Sequence, residues 1–360
     1  MFGGLFSFGS KSHIGIDIGT SSTRLVEVRK KGGDFELQNY GEMKVAASHG
    51  KSYRLYKEDN LLLSTEAVAD AVSAIKQETG VKTRECSFSI PDFSTFFTTI
   101  DLPVMDQEEL PEAIRYEVRP YIPLPLSEIN VEWLVVEGKV SKTPLKLLVV
   151  AIPHDTIEQY QEIARKADLD IKALEPEVFS LVRSTVKEEE GVAALVDLGA
   201  RSTTCSIVEN GTVRLSHSFN RGGNQLTETL ARSLNISYNE ARELKEKHGI
   251  NSTEVQANGR PVNVQKILMP LVDFILGEIK KVMRNFYQEE GKKVKKLILA
   301  GGVSSMPGLK NYFVSEVKTE IEMADPFNNL VFAPDLKKAL AKEGPSYAVA
   351  VGLALKGLKK

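Results

Sequence analysis

The chain has 360 residues, 42% of them hydrophobic and 26% charged, with a formal net charge of −2. That length exceeds what one hydrophobic core usually serves, so two or more lobes are expected, and the balanced charge gives no global field to gather nucleic acid. Only Cys86 and Cys205 are present, which excludes a disulfide scaffold or a cysteine-rich zinc site, and no run of about eighteen apolar residues stands ready to span a bilayer. A reducing cytoplasm fits both. The first ten residues, with Phe2, Leu5, Phe6 and Phe8, are too short and glycine-broken for a signal peptide and read as an N-terminal arm.

Residues 14–18 and 23–28 read as two strands joined by the polar turn Gly19-Thr-Ser-Ser22, followed by a short strand at 35–40. Ser64 and Thr65 open a helix carrying Val68, Val72 and Ile75 on one face, closed by Gly80, and a strand follows at 86–90. Residues 92–168 read as an inserted module: a strand at 95–102, a helix signalled by Asp106 and Glu109, strands at 131–136 and 145–152, and a helix from His154. Pro111 must lie in the first turn of that helix or bend it.

The second half restarts the pattern of the first, with strands at 193–198 and 203–208 around a polar turn. A helix follows at 224–234, and Ser237 with Glu240 forms a capping box opening another that Gly249 stops. A long amphipathic helix over 264–288 carries Leu268, Val272, Ile275, Ile279, Val282 and Phe286, with a break or bend expected at Pro270. The chain closes with a strand at 296–300, the Gly301-Gly302 turn, a helix after Pro307-Gly308 and an alanine-rich helix around 347–358.

The two copies, Asp17-Ile-Gly-Thr-Ser-Ser-Thr23 and Asp197-Leu-Gly-Ala-Arg-Ser-Thr203, lie 180 residues apart, half the chain. In each, an apolar strand delivers an aspartate to its end, a glycine lets the backbone approach a ligand, and small hydroxyl residues fill the turn. Such turns can hold phosphate from two sides, with the carboxylates organising a hydrated Mg²⁺. One hairpin of this kind is usually only a turn; two in register are informative. A third segment, Leu297-Ile-Leu-Ala-Gly-Gly-Val303, places paired glycines after an apolar strand, where backbone can lie close to a flat ligand.

In this order the three segments resemble the phosphate 1, phosphate 2 and adenosine motifs of the superfamily of actin, sugar kinases and heat-shock chaperones. The inserted module is similar to that of the PilM family of type IV pilus assembly proteins, through Leu102-Pro-Val-Met105, Tyr121-Ile-Pro123 and Val149-Val-Ala-Ile-Pro153. Ala173-Leu-Glu-Pro176 and Arg221-Gly-Gly-Asn224 extend the likeness over nearly the whole chain.

The resemblance implies an α/β protein of actin-like ATPase fold, two duplicated lobes around a nucleotide cleft with an insertion of the type called 1C in FtsA and PilM. Subdomain 1A would take residues 1–91, 170–192 and 346–360, 1C residues 92–169, 2A residues 193–235 and 295–345, and 2B residues 236–294. Connecting helices would begin at Glu175-Pro-Glu177 and near Ser346. ATP with Mg²⁺ is the implied ligand. Asp17, Gly19, Thr20, Ser21, Ser22 and Arg24 would face Asp197, Gly199, Ser202 and Thr203 across the phosphates, both aspartates meeting the metal through water. Gly222, Gly223, Lys245, Gly301, Gly302 and Val303 would face the nucleoside, and Glu175 would help place the attacking water. Arg24 stands where relatives carry lysine, and Arg242 where they often carry glutamate.

The implied role is a cytoplasmic scaffold at the inner face of the inner membrane. It would bind the N-terminal tail of the membrane protein PilN and link cytoplasmic motor ATPases to the membrane complex, meeting the membrane only through partners. The tail would lie between 1C and its parent lobe, with Phe93, Phe96 and Phe97 as candidates for its wall. Two alternatives remain: an ATPase or small-molecule kinase, against which no substrate-pocket motif is found, and an FtsA-like polymer, against which the chain shows no membrane helix after its last core helix. Hydrolysis is expected to be slow at most, and self-association is left open. His13, His49, His154, His217 and His248 show no metal-ligand spacing, and Lys292 to Lys296 reads as a solvated basic face.

Overall fold

A computed structural model describes residues 11–44, 47–48, 51–52, 64–187, 191–251, 254–257 and 259–359. The N-terminal arm with Phe2, Leu5, Phe6 and Phe8 lies outside the described residues. The first lobe opens as an antiparallel meander of β1 (Lys11–Ile18), β2 (Ser22–Lys31) and β3 (Asp34–Lys44). After α1 (Thr65–Thr79), β4 (Glu85–Ile90) adds in parallel to β1. Ile14, Ile16 and Ile18 on one side of β1 are fully buried, as a strand covered on both faces requires.

The chain then leaves this sheet for β5 (Phe96–Leu102), α2 (Leu110–Glu117), β6 (Ile129–Glu137) and β7 (Leu145–Pro153), whose three strands form their own antiparallel sheet in the order β5-β7-β6. Ile100, Leu110, Ile114, Val118, Leu147 and Val149 give the module a core of its own. Pro111 lies in the first turn of α2, where it costs no helical hydrogen bond. The Glu109 carboxylate accepts from the Asp106 backbone N–H at 3.0 Å, half of a capping box, while the helix itself starts at Leu110. α3 (His154–Lys166) returns the chain to β8 (Asp170–Pro176) at the edge of the first sheet, order β8-β4-β1-β2-β3. Although read with the insertion, α3 places Tyr160, Ile163 and Ala164 in the first lobe's core.

α4 (Glu177–Thr185) crosses to the second lobe, where β9 (Val192–Leu198), β10 (Thr203–Glu209) and β11 (Thr212–Phe219) repeat the opening meander. Then come α5 (Gly223–Leu234), α6 (Tyr238–His248), a hairpin of β12 (Glu254–Ala257) and β13 (Arg260–Asn263), α7 (Val264–Glu290), β14 (Lys296–Ala300), α8 (Leu309–Glu316), β15 (Glu320–Met323) and α9 (Lys337–Lys356). The second sheet runs β11-β10-β9-β14-β15, with β14 parallel to β9 as β4 is to β1. The two sheets therefore share one topology, as the repeated motif suggested.

Two expectations are corrected. α7 runs unbroken through Pro270, because the proline removes one backbone bond while the buried stripe from Leu268 to Phe286 still holds the helix to the core. The last helix begins at Lys337, not near Ser346, and contains Pro345. α4 and α9 pack on each other between the lobes, sharing a core with Leu148, Leu195, Val208 and Ile298.

Candidate nucleotide cleft

Both repeated turns have the same internal geometry. The Gly19 N–H donates to the Ser22 carbonyl at 3.0 Å, and the Gly199 N–H donates to the Ser202 carbonyl at 3.0 Å. Each turn closes at the end of a strand that carries an aspartate, the buried Asp17 near the end of β1 and the half-buried Asp197 near the end of β9. Around them lies a cleft of about 1650 Å³ between the lobes. Asp17, Gly19, Thr20, Ser21, Ser22 and Arg24 line it from the first lobe, and Asp197, Gly199, Ser202, Gly223, Lys245, Gly301, Gly302 and Val303 from the second.

Three expected residues stand back from this lining. Thr203 is fully buried and donates through Oγ1 to the Arg221 carbonyl at 2.8 Å. Gly222 backs onto the phosphate turn: a Cβ there would lie 2.6 Å from the Gly199 carbonyl oxygen and 2.8 Å from that of Ala200. Glu175 ends β8 in a fork with Arg183, at 2.5 and 2.8 Å, and accepts from Ser180. The carboxylate that reaches the cleft is Glu177, at the first turn of α4.

Glu177 is held from the insertion. Its Oε2 accepts from the Asp92 backbone N–H at 3.1 Å, while the Asp92 carboxylate accepts from the Val178 N–H at 3.4 Å. Four carboxylates thus cluster, Asp17 and Asp92 buried and Glu177 and Asp197 half-buried. Asp197 is pushed up to about 7, by burial first and then by Asp17. Asp92 is pushed up to about 8, by burial and then by Asp197, and burial raises Asp17 and Glu177 as well. Arg24 opposes the shifts of Asp17 and Asp197; it stands 3.7 Å from Asp17 and 2.7 Å from Glu42, with its guanidinium 5.8 Å from the Tyr347 ring centre. On the second lobe's wall, Lys245 donates to the Gly223 carbonyl at 2.9 Å and to Thr227 Oγ1 at 2.8 Å, and burial lowers it to about 8.

The site fits an anionic ligand that comes with a cation. Ser22 Oγ and Arg24 Nε are buried without a hydrogen-bond partner among the described residues, so donors stand ready at the phosphate turn. The paired glycines keep the opposite wall low: a Cβ on Gly223 would come 2.7 Å from Val303 Cγ2, and one on Gly301, at φ +81°, 2.2 Å from Asp197 Oδ1. Arg242 lines the same wall, 4.0 Å from Glu246.

Sequence reasoning missed Asp92, Glu177, Glu42 and Tyr347. Only Glu177 carried a local signal, two residues beyond Glu175 at the same strand-to-helix junction. The three phenylalanines read as a groove wall have separate surroundings, Phe93 and Phe97 packing against the first lobe's core. Phe93 lines the nucleotide cleft beneath Arg201, whose guanidinium is 5.0 Å from its ring centre; Phe96 packs into the insertion's core, and Phe97 onto Phe179 at 6.5 Å. His13 is buried, with Nε2 2.8 Å from Ser87 Oγ, and among the described residues no three His, Cys, Asp or Glu side chains are grouped to hold a bare metal ion. Lys292 and Lys296 of the basic run pair with Glu209 and Glu322.

The fold is shared with solved actin-like proteins. A chain of a PilM–PilN type IV pilus biogenesis complex superposes with a TM-score of 0.83 at 22% identity, covering 97% of this chain and 99% of its own. MreB5 of Spiroplasma citri bound to AMPPNP superposes at 0.56 with 11% identity, covering 97% of each chain. The cell division protein FtsA of Enterococcus faecalis is 26% identical over 205 residues, half of this chain, and the match spans 46% of that protein. The family description "Type IV pilus assembly protein PilM" matches residues 15–358. With that match over almost its entire length, the chain belongs to the PilM family of type IV pilus assembly proteins.

Proposed function

We propose that the cleft binds ATP with Mg²⁺ and that the protein is a cytoplasmic scaffold that takes the N-terminal tail of PilN. On that reading it links cytoplasmic motors to the inner-membrane complex. The observation that carries the nucleotide reading is the pair of turns closed by the same backbone hydrogen bond, each beside an aspartate that lines the cleft, Asp17 and Asp197. The turns and Arg24 would hold phosphate oxygens, the Gly223 and Gly301–Val303 wall would take the nucleoside, and Asp17 and Asp197 would hold Mg²⁺ through water, since that ion gives up its hydration shell reluctantly. The metal would neutralise charge both on the phosphates and on the carboxylate cluster. The MreB neighbour, solved with an ATP analogue, supports the reading through its fold.

The test is ATP binding by calorimetry with Mg²⁺. Asp17→Ala and Asp197→Ala are each expected to weaken it tenfold or more, about 1.4 kcal/mol, while circular dichroism stays native. Wild-type protein that binds no ATP would overturn the reading. Glu177 favours a second activity, slow hydrolysis, because it alone of the two junction glutamates reaches the cleft. Turnover should then fall in Glu177→Gln and persist in Glu175→Gln.

For the tail, a polar groove of about 380 Å³ lies between α1 and α3, lined by Thr65, Asp155, Glu158, Gln159 and Glu162. Glu162 is already paired with Arg165 and Lys166, which leaves Asp155 and Glu158 to suit a positively charged extended peptide. A peptide of the PilN N-terminus from the same genome is expected to bind the purified chain, with Glu158→Lys weakening it about tenfold, roughly 1.4 kcal/mol. Absence of binding to the wild type would remove the scaffold role. No helix among the described residues is long and apolar enough to cross a membrane, and recruitment through PilN would supply the membrane link.

A further inference from the structure

A second contact joins the lobes, away from the cleft. Arg214 on β11, 8% exposed, donates to the Val136 carbonyl at 3.2 Å and to the Glu137 carboxylate, both on β6 of the insertion. The same guanidinium stands 3.6 Å from Glu209 and 3.4 Å from Glu290. Lys146 on β7 of the insertion donates to Glu290, at the end of α7, and Lys292 stands 2.7 Å from Glu209. Three cations therefore meet three carboxylates. The insertion, which belongs by connectivity to the first lobe, supplies Glu137 and Lys146; the second lobe supplies the rest.

The position of this network matters more than its strength. β9 and β10 pair from Leu198 opposite Thr203, at the phosphate turn, to Val192 opposite Glu209, at the network. Seven residues of strand separate the two ends, about 20 Å at ~3.3 Å per residue. Between them sit α4 and α9, whose shared core reaches the cleft through Leu181 and Val349 and the network side through Val208 and Val213. A rotation of one lobe about these helices that narrows the cleft must pull on the contacts at the far end. The cleft, at about 1650 Å³, is wider than the roughly 300–1,000 Å³ that small-molecule sites usually occupy, so narrowing is what a bound nucleotide would favour.

We propose that the network centred on Arg214 is a latch between the insertion and the second lobe that holds the cleft open, so that nucleotide closure and the latch oppose one another. The consequence for the cleft rests on the ATP reading; the latch itself does not. Because Arg214 and Glu290 are mostly enclosed, salt weakens the latch only at high ionic strength, while removing the insertion's two charges releases it without stripping Arg214 of Glu209 and Glu290.

The test places spin labels on exposed Gln77→Cys and Lys247→Cys, one per lobe, the native Cys86 and Cys205 being buried. Without nucleotide, Glu137→Gln/Lys146→Gln should shift and broaden the inter-label distance distribution, while Lys292→Gln, whose pair lies within the second lobe, should leave it unchanged. The wild type in 1 M KCl should move in the same direction as the double variant, which decides the matter if that variant fails to fold. A distribution unchanged both by the double variant and by salt overturns the latch. ATP should bind the double variant about fivefold more tightly or better; a distribution that broadens with unchanged affinity would leave a brace and overturn the opposition to closure. Failure of ATP to bind the wild type would reject the nucleotide reading alone, since the label distances decide the latch without it.

Discussion

Gly352→Val is expected to cost about 3 kcal/mol or more of folding stability and to lower the melting temperature by roughly 5 °C or more. Gly352 lies on α9 where it crosses α4, and a Cβ there would sit 1.9 Å from the Ser180 carbonyl oxygen and 2.5 Å from its carbon. Both obstacles are helix backbone, so no side-chain rotation relieves the clash and the helices must separate. Separation would also break the bonds that set their spacing, from Arg183 Nη1 to the Gly352 carbonyl at 2.9 Å and from Ser184 Oγ to the Ala348 carbonyl at 2.8 Å. Gly277→Ala is the control: this exposed position inside α7 has nothing within 4 Å of a new Cβ, and alanine should stabilise by up to ~1 kcal/mol. Calorimetric melting of the two variants checks both, and a Gly352→Val melt within a degree or two of wild type would mean that the helices do not meet this closely.

The protein without ligand is expected to lose stability as pH rises from about 5 to about 8.5. Asp197 and Asp92 titrate near 7 and 8 in the folded state, and Asp17 and Glu177 are raised too, whereas all four ionise near 4 when unfolded. Between those limits the folded chain holds protons that the unfolded chain has released, so their stabilisation is complete below the unfolded values and fades as pH climbs through the folded ones. A tenfold difference in proton affinity between the two states is worth ~1.4 kcal/mol, and water entering the cleft damps the effect to about 2–3 kcal/mol across the window. At lower pH the sign reverses, because ion pairs hold Glu36 and Glu137 below the ordinary carboxylate range and their contribution is lost on protonation. Stability should therefore peak near pH 5. Asp92→Asn, which keeps an acceptor for the Val178 N–H, should flatten the fall, and a thermal melt series that rises between pH 5 and 8 would contradict the clustering of these carboxylates.

What the sequence made legible was local. The two Asp-X-Gly turns announced themselves because strand alternation and turn chemistry lie within seven residues, and the Ser237–Glu240 capping box is present with both of its reciprocal hydrogen bonds. The duplication could be read because the same short pattern occurs twice. What escaped depends on distance through space. Glu175 and Glu177 look equivalent on paper, yet Arg183 takes the first and the cleft receives the second, a choice made by how β8 hands over to α4. Asp92 meets Glu177 only because the insertion folds its first turn against that junction. The first turns of α9, from Lys337, carry no alanine-rich signal, and Pro345 within the helix lies buried, its carbonyl accepting the Gly301 N–H at 2.8 Å.

The place where the insertion joins the first lobe has a consequence for how this protein could have been built. β4, α3 and β8 form an ordinary parallel strand–helix–strand crossover, with Glu85 opposite Asp170 and α3 packed over the sheet. Everything from Asp92 to Pro153 hangs on the connection between β4 and that helix, and it carries its own sheet and core. Excising it would remove no strand from the five-stranded sheet, so the ancestral lobe could have existed whole before the module arrived. Attachment at that connection also sets the module's first turn, Asp92 and Phe93, beside the cleft between the lobes. The module is thereby joined by its first turn to the carboxylate that opens the helix between the lobes, Glu177.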